Sequence, residues 1–168
     1  MAGHHTITET ERQVEQKLGG LPINFVATAA VNNIFRGATA VRNQLERTVL
    51  RESGLSWTAF VVMWVVWVWE PIETRVIASE GGFSKATLTG VLTTLEARDF
   101  VTREKSPLDG RLVLVRLTDS GRALMETLFP TFNAMEVEIV SGLTVEETQT
   151  LATLLRKITQ SIEENDVD

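Results

Sequence analysis

Small and hydroxyl-bearing side chains, with one lysine, recur at helical spacing between residues 84 and 98. Ser84 can cap a helix whose buried stripe is Leu88, Val91, Leu92 and Leu95. The opposite face then carries Lys85, Ala86, Thr89, Gly90, Thr93 and Ala97. Side chains of this kind allow close approach to the edges of nucleic-acid bases, which bulky or acidic residues would prevent. The alternative is a plain solvent-exposed face, although threonine and glycine are weak helix formers there.

A second polar group lies in a turn about ten residues further on. Pro107, Asp109 and Gly110 are turn formers, and the flanking segments Val101 to Lys105 and Leu112 to Leu117 are typical of two paired strands. We therefore predict a hairpin with a basic tip. A basic hairpin directly behind a helix-turn-helix is a winged helix, which places one helix in the DNA major groove and the hairpin tip beside it.

Two helices are predicted ahead of the threonine-bearing helix. Ser56 caps the first, Trp57 to Trp69, in which twelve of 13 residues are apolar. A helix that is apolar on all sides is expected to be buried on all sides, at the centre of the domain. Residues 72 to 80 are expected to form the second, short helix, with Val76 and Ile77 pointing inward.

Long amphipathic helices are predicted on both sides of this domain. Pro22 opens a pattern of apolar three- and four-residue steps that ends near Gly54. Thr118 caps a helix to about Val140, and a capping box begins the last helix at Thr144. The last helix carries the apolar stripe Leu151, Leu154, Leu155, Ile158 and Ile162. A small winged helix cannot cover this much apolar surface, which favours a symmetric dimer.

The predicted fold class is therefore mainly α with a β-hairpin wing. Residues 1–20 are expected to be an N-terminal tail, either frayed or a short amphipathic lead-in. Residues 21–55 form an N-terminal dimerisation helix, residues 56–118 form a winged helix-turn-helix DNA-binding domain, and residues 119–168 form C-terminal dimerisation helices.

The charge of the chain is unevenly distributed. The formal net charge of the 168 residues is −6, but residues 75 to 116 carry seven bases and five acids. Residues 126 to 168 carry nine acids and two bases. A basic middle is compatible with a nucleic-acid partner, whereas an acidic end is also what a plain solubilising surface would show.

The composition argues against several classes of function. The chain has no cysteine, and its two histidines are His4 and His5, so disulfides, zinc ribbons, thiol chemistry and a core histidine triad are not expected. We find no paired carboxylates on one face and no glycine-rich phosphate loop, and we predict no enzyme, no cofactor and no metal. No run of about 18 apolar residues and no signal peptide is present, so a cytoplasmic protein is expected.

The middle of the chain resembles a known family. The segments SKATLTGVLTTLEARDFV (84–101) and DGRLVLVRLTDSGRAL (109–124), in this order, resemble the recognition helix and the wing of the multiple antibiotic resistance regulator (MarR) family of bacterial transcription factors. The resemblance covers roughly Phe25 to Ile162. It implies DNA-facing helix positions, a wing arginine (Arg111) that enters the minor groove and an aspartate (Asp109) that holds it. The full predicted DNA-binding set is Ser84, Lys85, Thr87, Thr89, Gly90, Thr93, Arg103, Lys105, Asp109 and Arg111.

Three residues depart from the family pattern. Gly90 stands where many members carry an arginine, so one cation is missing from the helix face. Asp99 replaces the glycine that usually ends the recognition helix, which predicts a strained cap. Gly81 replaces an apolar residue in the turn, which predicts a looser first helix of the pair.

The resemblance also implies a small effector, since family members often bind aromatic or anionic molecules in a cleft beside the dimer helices. The candidate residues are Phe35, Arg42, Trp57, Phe60, Trp64 and Trp67. The competing interpretation of the tryptophans is core packing.

We therefore expect a dimeric, sequence-specific DNA-binding transcriptional regulator, a ligand-responsive repressor of a pseudo-palindromic operator. Its partners would be double-stranded DNA, a second copy of the chain and an aromatic or anionic effector, with no membrane. The alternative is a winged-helix protein-interaction module that binds an acidic partner without binding DNA.

Overall fold

The computed structural model describes residues 5–165, which fall into two units divided between Gln44 and Leu45. Residues 1–4 of the predicted N-terminal tail and residues 166–168 of the predicted C-terminal region lie outside the described residues. The domain division predicted from the sequence remains a prediction.

The first unit consists of two helices, α1 (Ile7–Leu18) and most of α2 (Phe25–Leu45). The segment expected to be a tail or lead-in thus contains α1, which begins with a capping box between Thr6 and Glu9. Asn33 donates its side-chain amide to Glu11 at 2.8 Å. No residue between 5 and 44 is buried, so this unit has no hydrophobic core of its own.

The second unit begins with the end of α2, a π-helical segment (Glu46–Leu50) and the short helix α3 (Arg51–Ser53). Gly54 follows in a left-handed conformation (φ 64°), as expected where a helix ends. The guanidinium of Arg98 donates to the carbonyl oxygens of Ser53 and Gly54 at 2.9 and 2.8 Å. This side chain satisfies the carbonyls at the helix end and is held by them.

Helix α4 (Trp57–Trp69) forms the centre of the second unit. Its bounds and its cap were predicted correctly, since Ser56 accepts a hydrogen bond from the backbone N–H of Ala59. The expectation that it is buried on all sides was wrong, because Val68 and Trp69 at its end are 49% and 65% exposed. Among the described residues no single helix is long and apolar enough to cross a membrane, and only residues 25–53 taken together with α4, as a bent pair, meet the criteria of length and composition.

The helix-turn-helix consists of α5 (Thr74–Gly81) and α6 (Lys85–Ala97). A two-residue strand β1 (Ile72–Glu73) precedes α5, where the sequence predicted helix only. Ile77 is fully buried as expected, but Val76 is exposed, so its predicted inward orientation was wrong.

Three antiparallel strands form one sheet in the order β1-β3-β2. The strands β2 (Val101–Lys105) and β3 (Val113–Leu117) form the hairpin, with Val101 opposite Leu117 and Lys105 opposite Val113. Strand β1 joins the other edge of β3, with Ile72 opposite Val115. The wing is thereby attached to the start of the helix-turn-helix.

Two long helices complete the chain, α7 (Asp119–Ile139) and α8 (Val145–Asn165). Thr118 caps α7 by accepting from the N–H of Gly121, and a side chain at position 121 would collide with the carbonyl oxygen of Phe100. Thr144 and Glu147 form the predicted capping box of α8. Helix α7 buries Met125, Leu128 and Phe132, whereas α8 has no buried residue.

Candidate nucleic-acid interface

Helix α6 has one buried face and one exposed face, as its spacing predicts. Leu88, Leu92 and Leu95 are buried, and Val91 is half-buried. Ser84 caps the helix, because its Oγ accepts from the N–H of Thr87 at 3.1 Å. The predicted contact residues of the helix are all exposed: Ser84, Lys85, Thr87, Thr89, Gly90 and Thr93.

The threonine hydroxyls of the exposed face already use their hydrogens. Thr89 donates to the carbonyl oxygen of Lys85 at 2.8 Å, Thr93 to that of Thr89 at 2.9 Å, and Thr94 to that of Gly90 at 3.0 Å. Since a hydroxyl has one hydrogen and two lone pairs, each threonine has acceptor capacity left for an outside partner. Such a face suits the amino groups of adenine and cytosine, while the methyl groups suit the thymine methyl.

The tip of the wing is ordered by one buried serine. The Oγ of Ser106 accepts from the backbone N–H groups of Leu108 and Asp109 at 3.2 and 3.4 Å. The N–H of Ser106 donates to the carbonyl oxygen of Leu112, and the N–H of Leu112 donates to that of Asp109, both at 2.9 Å. These bonds close the hairpin loop and define the path of its backbone.

Asp109 holds Arg111 at the tip. The carboxylate accepts from Nε and Nη2 of Arg111 at 3.0 and 2.9 Å, and also from its backbone N–H at 3.0 Å. The hydrogen bonds from Arg111 lower the pKa of the Asp109 carboxyl below its ordinary value, and the same contact raises the pKa of Arg111. The Arg111 side chain is nevertheless 90% exposed, so a guanidinium oriented by Asp109 is presented to the solvent.

The two wing cations predicted beside Arg111 have different surroundings. Arg103 on β2 forms a half-buried ion pair with Glu96 of α6, which ties the wing to the helix. This hydrogen bond lowers the pKa of Glu96 and raises that of Arg103. Lys105, at the end of β2, is exposed.

A cleft of about 530 Å³ between the helix-turn-helix and the wing brings several of these residues together. Lys85, Thr89, Arg103 and Arg111 line it. Arg75 also lines it, although it was not among the predicted site residues. Its Nε donates to Glu73 at 2.5 Å. The one sequence signal for Arg75 was its place in the basic middle of the chain.

A carboxylate joins the base of the wing to the core. Glu70, directly after α4, accepts a hydrogen bond from the backbone N–H of Leu117 at 2.6 Å and pairs with Arg122 of α7. Both partners are about 50 residues away in the sequence, so no local pattern indicated this contact. It fixes the end of β3, and with it the direction in which the hairpin extends.

The aromatic effector candidates on α4 pack against α7. The Trp64 ring stacks on Phe129 with centroids 4.6 Å apart, and Phe60 stacks on Phe132 at 4.2 Å. Trp57 stacks on Phe132, and Trp67 meets Phe129 edge-on. The other two candidates, Phe35 and Arg42, lie on α2, and the Phe35 side chain is 69% exposed. The effector role of all six residues remains a prediction.

Comparison with known proteins identifies the family. A model of the MarR family matches residues 55–113. Over 162 residues, which are 95% of either chain, the sequence is 37% identical to YwaE of Bacillus subtilis (strain 168), an uncharacterized HTH-type transcriptional regulator. The chain belongs to the MarR family. It is a transcriptional regulator of the MarR type, and it is not an enzyme, because MarR regulators are non-enzymatic DNA-binding proteins.

Solved MarR-type structures share the fold. BpsR of Bordetella bronchiseptica, whose DNA binding is regulated by 6-hydroxynicotinic acid, has a TM-score of 0.71 and 27% identity over 77% of this chain and 98% of its own. AbsC, a MarR family transcriptional regulator of Streptomyces coelicolor, has a TM-score of 0.76 and 21% identity over 84% of this chain and 97% of its own. The predicted family and the predicted mainly α winged-helix fold are thus confirmed.

Proposed function

We propose that this MarR-type protein is a dimeric repressor that binds a specific pseudo-palindromic operator in the cytoplasm. The observation that carries the proposal is the shared cleft, where the exposed face of α6 and the fixed guanidinium of Arg111 belong to one surface. A helix and a wing tip on one surface can enter a major groove and the minor groove beside it.

The proposed contacts divide between the two grooves. Lys85, Thr89 and Thr93 would lie in the major groove, with Ser84 and Thr87 at the helix start, where backbone N–H groups favour a phosphate. Arg111, oriented by Asp109, would enter the minor groove, whose narrow A·T-rich segments attract arginine. We assign the phosphate backbone to Lys105 and, after rearrangement of its ion pair, to Arg103.

Unburied apolar surface supports the dimer and the proposed domain division. No residue of 5–44 or of α8 is buried, which a helix with an apolar stripe does not tolerate alone in water. The exposed apolar side chains of these regions include Ile7, Leu18, Leu21, Ile23, Val26, Val31, Phe35, Leu151, Leu154, Leu155, Ile158 and Ile162. A second copy would cover them and place two α6 helices on successive major grooves.

We also propose an aromatic or anionic effector that releases the DNA. The support is BpsR, whose DNA binding is regulated by 6-hydroxynicotinic acid, an aromatic acid. Such a ligand would act by changing the spacing of the two α6 helices in the dimer. Phe35, Arg42 and the four α4 aromatics remain the candidates for its contacts.

The decisive experiment is selection of bound duplexes from a random DNA pool at near-physiological salt, read by sequencing. We expect a pseudo-palindrome with half-sites about one helical turn apart. Failure of the folded protein to enrich any sequence would contradict the proposal and favour a protein-interaction module.

Arg111→Ala, tested on the selected operator, examines the proposed minor-groove contact. Loss of a minor-groove arginine is expected to weaken binding by about 1–3 kcal/mol. Arg116→Ala is the matched control, because Arg116 lies on β3 and pairs with Glu104 away from the tip. An Arg111→Ala variant that binds as tightly as the control would remove the minor-groove assignment.

A further inference from the structure

The tip of the wing presents an apolar side chain beside its arginine. Leu108 is 96% exposed, more than any other large apolar residue in the part of the chain that the structure describes. The other exposed apolar residues are concentrated on the long helices, where a second copy of the chain could cover them. Leu108 lies instead in the hairpin loop, next to the carboxylate that holds Arg111.

The loop positions the backbone of Leu108. Its backbone N–H donates to the buried Ser106 at 3.2 Å, and Pro107 before it has a fixed φ angle. Asp109, the next residue, is bonded both to Ser106 and to Arg111. Leu108 and Arg111 therefore flank one anchored aspartate, and little backbone entropy remains to be lost when the tip meets a partner.

We propose that Leu108 is a specificity-determining residue that enters the DNA minor groove with Arg111 and disfavours G·C pairs there. The inference rests on the proposed DNA-binding function. The walls of the minor groove are sugar C–H groups, against which a leucine can bury apolar surface. Guanine projects an amino group into this groove, and adenine does not. A leucine cannot accept a hydrogen bond, so it would leave that amino group without a partner.

The two residues of the tip have complementary tasks in this proposal. Arg111 is attracted by the negative potential of the minor groove, which is stronger where the groove is narrow. Arg111 would therefore favour sequences with a narrow minor groove. Leu108 responds to the chemical group on the groove floor. Together they would select A·T pairs at the wing positions, where α6 makes no contact in the major groove.

The test uses the full-length protein and the selected operator, with minor-groove substitutions at each position. Replacing A·T by 2,6-diaminopurine·T adds the amino group to the minor groove and leaves the major-groove edge unchanged. We expect the wild-type protein to lose about 5- to 30-fold in affinity at the wing positions, and Leu108→Ala to lose that sensitivity. Leu108→Ala is also expected to bind the unmodified operator about 5- to 30-fold more weakly.

The controls separate the inference from the function on which it rests. Val68→Ala removes another exposed apolar side chain, which lies at the end of α4, outside the wing and the proposed dimerisation helices, and is expected to bind like the wild type. If Arg111→Ala weakens binding while Leu108→Ala binds within about twofold of the wild type, the role of Leu108 is wrong and DNA binding stands. Equal diaminopurine sensitivity in wild type and Leu108→Ala would also overturn it. If the wild type enriches no operator, both the function and this inference fall.

Discussion

The residues that we propose as DNA contacts on α6 and at the wing tip are oriented by hydrogen bonds within the protein. The threonine hydroxyls are bonded to carbonyl oxygens of their own helix, and three hydrogen bonds fix Arg111 to Asp109. Preorganised groups lose less side-chain entropy on binding, and a fixed orientation favours one register on the duplex. At the residue scale, the proposed specificity would therefore depend on residues that orient a contact side chain, such as Asp109, as well as on the side chains that touch DNA.

Asp109→Asn is expected to separate specificity from general affinity. The substitution removes a negative charge close to the phosphates and also weakens the hold on Arg111, because a charge-assisted bidentate pair is lost. We expect operator affinity to fall by about 3- to 10-fold and affinity for unrelated DNA to stay level or rise. Fluorescence anisotropy with the operator and with an unrelated duplex measures the two affinities and their ratio. Equal weakening on both duplexes would mean that Asp109 does not orient Arg111 for a specific contact.

Gly90→Arg is expected to strengthen DNA binding in general. A side chain at position 90 meets no atom within 4 Å, so an arginine fits on the exposed face of α6. We expect tighter binding to any duplex and a salt dependence that is steeper by about one unit per added phosphate contact. Gly142→Arg adds the same charge between α7 and α8, also in open space. This variant should change neither the DNA affinity nor its salt dependence. No difference between the two variants would mean that this face of α6 points away from the DNA backbone.

Residue-level patterns predicted the local features well. Serine and threonine caps located the starts of α4, α6, α7 and α8 because a cap and its helix are adjacent in sequence. The strained cap at Asp99 was also foreseen, and its φ of 56° confirms it. The expectation that Gly81 loosens a helix stays a prediction; the structure adds that a side chain at this position would meet the ring of Phe83. That contact depends on how the chain turns, which no local pattern encodes.

The elements of the winged helix are joined by side-chain pairs between distant parts of the chain. Arg103 and Glu96 connect β2 to α6, and Glu70 connects the end of α4 to β3 and α7. These contacts hold α6 and the wing together, and in the proposed complex the angle between them would have to match the spacing of the two grooves. The sequence predicted Arg103 as a DNA contact, which stays a prediction, and it could not indicate the pair with Glu96, because a free cation and a paired cation have the same sequence signal.

Glu96→Gln is expected to destabilise the protein in a pH-dependent manner. The hydrogen bond from Arg103 lowers the pKa of Glu96 below its ordinary value of 4.5, so the ionised carboxylate stabilises the fold above that pH and loses this effect as the pH falls through the lowered pKa. We expect a loss of about 0.5–1 kcal/mol near neutral pH and a smaller loss near about pH 3. Urea unfolding at both pH values checks this.

Glu104→Gln is the matched control for that measurement. Glu104 pairs with Arg116 on the same hairpin, but both side chains are about half exposed, and exposed pairs contribute little. A Glu96→Gln effect that is no larger than the Glu104→Gln effect, or that does not depend on pH, would mean that the Arg103 pair does not hold the wing.

The types and bounds of the helices and strands were largely predictable from the sequence. Which strands pair and which helices pack together were not. The two hairpin strands and α4 follow from period and turn signals. Strand β1 was not predicted because two residues are too few to show a period. Its residue Ile72 pairs with Val115, which lies more than 40 positions further along the chain. The exposed end of α4 was not predicted for a related reason. The apolar sequence of α4 does not show how far the neighbouring helices extend along this helix.

At the scale of the whole molecule, charge and apolar surface are segregated. The basic middle contains α6 and the wing, whereas the acidic C-terminal region contains α8 with its exposed apolar stripe. An acidic surface would be repelled by DNA, so the net charge of −6 is compatible with binding if the C-terminal region faces away from the duplex. A dimer formed through the terminal helices would also separate the acidic surface from the DNA.

Leu154→Glu tests whether the stripe of α8 makes the dimer on which operator binding depends. Leu154 is exposed, so the substitution should leave the fold of the protomer intact. In a symmetric interface each copy contributes a buried, unpaired carboxylate, and we expect the dimer dissociation constant to rise at least about tenfold. Sedimentation velocity over a concentration series measures it. Gln160→Glu adds the same charge on the opposite face of α8 and should leave the dimer unchanged.

Operator binding by the Leu154→Glu variant then reports how the two half-sites are linked. A monomer contacts half of the phosphates, so the slope of log affinity against log salt should fall to about half of the wild-type value. The half-site contacts of α6 and Arg111 would remain, because they lie within one protomer. A variant that stays dimeric would place the dimer interface elsewhere. A variant that becomes monomeric while retaining the full slope would mean that one protomer makes every phosphate contact, and the pseudo-palindromic operator would have to be abandoned.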